Sequence, residues 1–325
     1  MRTARVTVLF LCLLFAVARP GAAQTVAGIR AQGMANAFVG VADDASAVYW
    51  NPAGLAGGAF FSLVVDSSGA ETLPGSRAEA GRRSGWLLAL STPALGLAYY
   101  RLAQDRVTPE LTPDGPATRR ETLVTHQGGV TLVQSLTDTI AVGATMKAVR
   151  GAAASIALPT RDREFALRGV DLIGRSSTRF DLDAGIMATG DLGRLGLVVR
   201  NVTEPAFRTS ADDPRELRLE RAVRAGGSLV LLPGWRLASD LDLTAVQGPF
   251  GDVREWALGS EGQVTRQLAL RGGVRLNTAG DGGHAPSVSA GGSYAVYGSL
   301  LVDVHVTAGA ETAFRGWGVA GRMVF

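Results

Sequence analysis

From Ala59 to the end, the chain alternates apolar and polar residues with a period of two. Arg179 to Met187 places Phe180, Leu182, Ala184 and Ile186 on one face and Arg179, Asp181 and Asp183 on the other. Trp235 to Thr244 opposes Leu237, Leu241 and Leu243 to Arg236, Asp240 and Asp242. Gln267 to Leu276 sets Leu268, Leu270, Val274 and Leu276 against Arg271 and Arg275, and Leu300 to Val306 sets its apolar residues against Asp303 and His305. Side chains along a strand point to opposite faces, so each run predicts a strand with one apolar and one polar face. Counting such runs predicts about 14 strands, near 59–66, 85–91, 95–102, 121–136, 139–150, 178–189, 194–202, 221–232, 235–244, 253–263, 266–276, 285–296, 299–306 and 314–325, most of them long enough for tilted membrane spans. The run at 121–136 alternates least cleanly.

The connections alternate between two classes. Short turns include Ser91-Thr92-Pro93, Thr137-Asp138, Leu232-Pro233-Gly234 and Tyr297-Gly298, and long polar loops include Ser67 to Ser84, Ala103 to Arg120, Gly151 to Ser177 and Thr203 to Glu220. Short turns at one end and long loops at the other are the layout of an outer-membrane barrel, and an even strand count puts both termini at the short-turn end. The last run, Phe314 to Phe325, keeps Trp317, Val319, Met323 and Phe325 in one register. A terminal aromatic on an amphipathic strand is expected to act as the signal read by barrel-assembly machinery. Trp235, Trp256 and Tyr294 suit interfacial girdles. A soluble β-sandwich shares the alternation but requires neither the terminal Phe325 nor the two loop classes. The expected fold class is therefore all-β, an antiparallel transmembrane β-barrel of about 14 strands with a short N-terminal helical plug.

The N-terminus sets the compartment. Arg2 and Arg5 precede an apolar run from Val6 to Ala18, followed by Gly21, Ala22 and Ala23. This is the three-part pattern of a secretory signal, with cleavage expected after Ala23. The run is too short for a membrane-spanning helix. Removing Arg2, Arg5 and Arg19 from the 32 basic residues leaves 29, equal to the 29 acidic ones. The apparent basicity therefore does not indicate nucleic-acid binding. Cys12, the only cysteine, leaves with the signal, so disulfides are excluded.

Residues 24–58 read differently, as short helices and turns ahead of the barrel at 59–325. The segment is alanine-rich, Asp43 or Asp44 can cap a helix, and Pro52 and Gly54 break it. The stretch from Gly33 through Asn36, Asp43, Asp44, Asn51, Pro52 and Gly54 to Leu55, GMANAFVGVADDASAVYWNPAGL, resembles the FadL/TodX superfamily and, within it, the smaller PorV/PorQ-like proteins. The match covers about 30 residues; the remainder agrees in architecture. The resemblance implies a 14-stranded barrel closed by an N-terminal hatch. In one branch such barrels pass hydrophobic molecules by a lateral route, and in the other they assist secretion or surface attachment. This chain is shorter than the first branch and its loops are polar, with Ala152 to Leu158 as the best apolar loop candidate.

The polar strand face carries both signs: Lys147, Arg179, Asp181, Asp183, Arg200, Arg236, Asp240, Asp242, Glu255, Glu261, Arg271, Arg275, Asp303, His305 and Arg322. Turning each Arg or Lys toward lipid costs about 2–4 kcal/mol near the midplane, so these residues are expected in the lumen. Mixed signs favour a ladder of ion pairs holding the plug; a conduction path in which Arg271 and Arg275 attract a carboxylate is the alternative. Asn51-Pro52-Ala53-Gly54 reads equally as a hatch kink or as a fixed turn. His126, His284 and His305 are dispersed and there is no mature cysteine, so neither a catalytic triad nor a metal site is expected, and no cofactor. The expected function is passive transport of small hydrophobic molecules, with an accessory role in secretion as the alternative. The expected partners are outer-membrane lipid, the barrel-assembly machinery, and either a small hydrophobic ligand or secretion-system proteins.

Overall fold

The computed structural model describes residues 27–72, 80–113, 115–159, 166–167, 174–209, 214–248, 251–279, 286–309 and 314–325. The predicted signal at 1–23 and His284 lie outside them. In chain order the strands are β1 (Ser62–Thr72), β2 (Ala80–Ser91), β3 (Leu95–Thr112), β4 (Gly115–Ser135), β5 (Ile140–Leu158), β6 (Arg175–Thr189), β7 (Gly193–Arg200), β8 (Ala206–Arg208), β9 (Glu216–Arg218), β10 (Ala222–Leu232), β11 (Trp235–Asp242), β12 (Val246–Gly248), β13 (Gly251–Val253), β14 (Glu255–Gln263), β15 (Leu268–Asn277), β16 (Ser287–Tyr297), β17 (Leu300–Gly309) and β18 (Phe314–Val324).

Fourteen of these strands form a closed antiparallel barrel, in which each pairs with its neighbour in the chain and β1 pairs with β18. The pairs β8–β9 and β12–β13 are separate small hairpins in the long loops. Closure follows from the period-two pattern. Val65, Leu88, Leu97, Val130, Met146, Leu197, Val274, Val304 and Val319 all project outward and exposed. An apolar surface of this extent is far larger than a soluble monomer presents, and it suits hydrocarbon, where a closed sheet also leaves no unpaired edge. Among the described residues no helix is long and apolar enough to cross a membrane, which says nothing about strands.

The strands outrun the sequence pattern at the long-loop end. Parts of the predicted loops 67–84, 103–120 and 151–177 are strand: β1 continues to Thr72, β2 starts at Ala80, β3 and β4 meet at Thr112–Gly115, and β5 continues to Leu158. Ala152 to Leu158 is therefore strand, not an apolar loop. In these extensions both faces carry the same kind of residue, polar at Thr108-Pro109-Glu110 in β3 and small and apolar at Gly151 to Ala154 in β5, so pairing continues while the alternation that reveals it disappears. The first barrel strand also begins at Ser62 rather than 59.

These extensions are packed at their tops. Phe207 on β8 is fully buried with Leu123, Val149, Ala153 and Leu219, on the lumen side of β4 and β5. Ala166 and Leu167 pack with Ala80 and Val107. The largest apolar cluster is not in the wall but in the plug: Met34, Phe38, Val41, Val48, Tyr49, Trp50 and Leu55, with Leu87 and Tyr100 from the barrel.

Candidate functional site

The plug comprises α1 (Ile29–Gly33), α2 (Ala47–Trp50) and a 3-10 turn, Pro52–Gly57. Ala35 and Asn36, at φ 53° and 74°, turn the chain out of α1. Neither Asp43 nor Asp44 caps α2, whose first flanking residue, Ser46, makes no side-chain cap. Asp44 instead accepts the Ser46 backbone N–H at 2.9 Å and its hydroxyl, organising the turn ahead of the helix. Asn51 is extended at φ −160°, as a residue before proline should be, and its Oδ1 accepts the Ala53 N–H at 3.2 Å to start the 3-10 turn.

Every face of the plug is tied to the wall. Arg30 of α1 pairs with Asp43 and Asp44 within the plug and with Glu261 of β14 at 2.6 Å. Arg236 reaches Asp43 from β11 at 3.0 Å. Asp240 accepts the backbone N–H groups of Phe38 and Val39 at 2.8 and 2.9 Å, and Asp66 accepts that of Gly28 at 2.9 Å. Asn51 donates to Ile186 of β6 and to Val39. Arg194 donates to Val41, Ala42 and Gly54 carbonyls, and Arg224 to that of Asn36. These contacts satisfy plug backbone groups that have no helix or strand to use, which is why a short irregular segment can be buried at all.

Close approach depends on glycines. A Cβ at Gly40 would lie 2.8 Å from Gly227 of β10, one at Gly143 of β5 would lie 2.5 Å from the Pro52–Ala53 peptide, and one at Gly291 of β16 would lie 3.2 Å from Gly33.

The remaining sequence-selected charges fall into clusters. Lys147 pairs with Asp181 and Asp183 at 3.2 and 2.8 Å and donates to Asn201 at 2.9 Å. Arg224 pairs with Asp242 at 2.6 Å and with Glu255, which also meets Arg275 at 3.4 Å. Arg271 joins Glu261 at 2.6 Å to Asp303 at 3.3 Å, and Arg322 pairs with Asp303 at 2.9 Å. His305 is buried, and its Nδ1 has no hydrogen-bond partner among the described residues. Arg179 departs from its expected place. It shares the inward register of β6 but lies exposed and donates to the Thr178 carbonyl. Phe325 closes the barrel beside Phe61, with rings 6.0 Å apart.

Sequence reasoning did not select Arg30, Asp66, Arg194 or Arg224 as site residues. The inward register of β1, β7 and β10 was the available signal for the last three; Arg30, inside an irregular segment, carried none. Arg200 is a buried cation stacked 4.6 Å over Tyr49 and 5.8 Å from Trp50. Glu220, in the long loop after β9, is pushed above the usual carboxylate range by burial, with the Gln247 N–H opposing. Among the described residues no group of His, Cys, Asp or Glu is placed to hold a metal ion.

Among the described residues, small spaces remain between plug and wall. A cavity of about 20 Å³ lies between Tyr49, Tyr100, Leu123 and Arg200, and one of about 40 Å³ among Ser68, Arg83, Arg275, His305 and Phe314. A larger polar space of about 200 Å³ opens beside Arg30, Glu261, Arg266 and Arg322, next to the short turns. A dry cavity that accepts benzene measures about 150 Å³, so the two spaces on the loop side are on the scale of water.

This barrel with an N-terminal plug is the fold of the FadL/TodX barrels. The CymD monoaromatic hydrocarbon channel superposes with a TM-score of 0.61 at 14% identity, covering 92% of this chain and 97% of that one. The Ralstonia pickettii toluene transporter TbuX gives 0.60 at 12% identity over 92% and 98%. A Pseudomonas aeruginosa FadL homologue gives 0.63 at 11% identity over 93% and 100%. At these identities the likeness is one of fold. The family described as F plasmid transfer operon, TraF, protein matches residues 129–242. No curated protein sequence matches the chain.

Proposed function

We propose that the chain is an outer-membrane protein, exported by a signal at residues 1–23, whose plugged barrel passes small hydrophobic molecules passively inward. The observation that carries this reading is the plug itself. A lumen filled by its own N-terminal segment, and held there by polar contacts rather than by continuous strand pairing, can be opened without breaking the wall. The barrels that share this architecture include a hydrocarbon channel and a toluene transporter, which supports the reading. The two spaces beside the plug on the loop side are too small for a hydrocarbon, so passage through them requires part of residues 27–57 to move. No chemical step on the cargo is part of the reading.

Uptake decides it. Cells lacking the gene should take up labelled toluene or oleate several-fold more slowly than cells carrying it, at equal outer-membrane integrity. Equal rates for both probes would overturn transport and leave the accessory role in secretion, which the appearance of exported proteins at the surface of the same cells would then test.

A further inference from the structure

One row of side chains on the outside of the barrel has no role in plug or lumen. Register places Trp86 opposite Arg101, Arg101 opposite His126, and His126 opposite Arg150, across β2 to β5. All four share the outward face with the exposed Leu88, Leu97, Tyr99, Val130 and Met146. Arg150 is exposed, and Arg101 and His126 are half-buried. Toward the short turns, the outward positions on these strands are apolar. Toward the long loops the outward positions are mixed: Ala103, Val124 and Ala152 come next, then Asp105, bonded to Thr122 and Arg120. The row is the lowest charged level on the outer face of β2 to β5.

Its charge is unbalanced. Among the described residues no carboxylate lies within ion-pair distance of Arg101 or Arg150, whereas the lumen arginines Arg30, Arg224, Arg271 and Arg322 each have one. Arg150 is steadied by Ser176 at 3.3 Å, and the His126 ring by the Tyr99 hydroxyl at 3.0 Å, with Tyr99 and Trp86 packed at 5.3 Å. At the edge of the hydrocarbon an outward arginine costs only about 0–1 kcal/mol, so the row is tolerated there, and guanidinium groups match phosphate oxygens in geometry. The aromatic pair beside them suits the headgroup level.

We propose that Arg101, His126 and Arg150 form a docking site on the outer wall for the phosphate of a lipid headgroup in the surrounding leaflet. The site rests on the barrel being lipid-embedded and is independent of transport. Its occupant is a lipid rather than a free anion because the row continues directly into the apolar belt, where acyl chains lie against Leu97, Val130 and Met146.

The test uses the full mature chain in a neutral detergent, mixed with bisphosphorylated lipid A or with its dephosphorylated form. Bound lipid is read by native mass spectrometry, and folding by heat-modifiable gel mobility. Wild-type protein should retain the phosphorylated lipid about tenfold better than the dephosphorylated one. The pair Arg101→Gln and Arg150→Gln should abolish that preference, and Arg101→Lys with Arg150→Lys should keep most of it. Equal retention of the two lipids by wild-type protein, an unchanged preference in the glutamine variant, or full displacement by inorganic phosphate would overturn the proposal. Should the glutamine variant fail to fold, the wild-type comparison of the two lipids still decides. Toluene and oleate uptake do not enter the measurement, so its failure and that of the transport reading are distinguishable.

Discussion

At the scale of single residues, the plug depends on groups that no substitution can replace without leaving something buried and unpaired. Arg30 faces three carboxylates. Arg30→Gln leaves Asp43, Asp44 and Glu261 with one fewer cation, and removing one partner of a buried pair costs about 3–5 kcal/mol. The expected result is a folded barrel with a loosened plug, seen as frequent brief openings in single-channel recordings where wild type is quiet. Gly40 tests packing instead of charge. Its Cβ would meet Gly227 backbone at 2.8 Å, so Gly40→Ala should lower stability by about 1–3 kcal/mol, read as a lower urea midpoint at unchanged slope. The paired wall glycines were legible as strand positions, but the reason for them was not. Only the folded plug shows which wall glycine faces which turn, since the contacts span chain separations that local pattern does not encode.

At the scale of elements, removing the predicted plug, Gln24 to Gly57, should raise conductance in a planar bilayer by more than any single substitution. A plugless barrel as quiet as wild type would mean that the wall charges, such as the Lys147, Asp181 and Asp183 cluster, seal the lumen alone. The hairpin β8–β9 is the second removable element. Phe207 is fully buried against β4 and β5, and Phe207→Ala should cost about 3–5 kcal/mol locally, read as faster protease cleavage in the loop between β7 and β10 with the barrel itself resistant. This hairpin was hidden in the sequence because three-residue strands are too short to show a period. The barrel strands were legible wherever the outer face is apolar and the inner face polar, because there the two faces accept different residues. They became illegible in the upper parts of β3, β4 and β5, where the environment no longer discriminates between faces.

At the scale of the molecule, the strand number and the antiparallel order followed from two patterns, alternation and unequal loops, whereas the placing of the N-terminal segment in the lumen followed from the resemblance of residues 33–55 to the FadL/TodX superfamily. The state of the passage followed from neither. Whether a lumen lined by mixed charges is open or shut depends on how an irregular segment of about 30 residues folds into it, and irregular backbone carries no periodic signature. The chain separation of the plug contacts bears on how the protein is made. Gly28 meets Asp66 across 38 residues and Ala45 meets Ser62 across 17, whereas Arg30 meets Glu261 across 231 and Phe38 meets Asp240 across 202. Short separations cost the least loop-closure entropy, so the cork is expected to settle against the first stave before the later staves reach it. Late joining of β18 to β1 would then close the wall around a segment already in place, and pulse-labelling hydrogen exchange during refolding, with Gly28 and Ala45 protected before Phe38, would check that order.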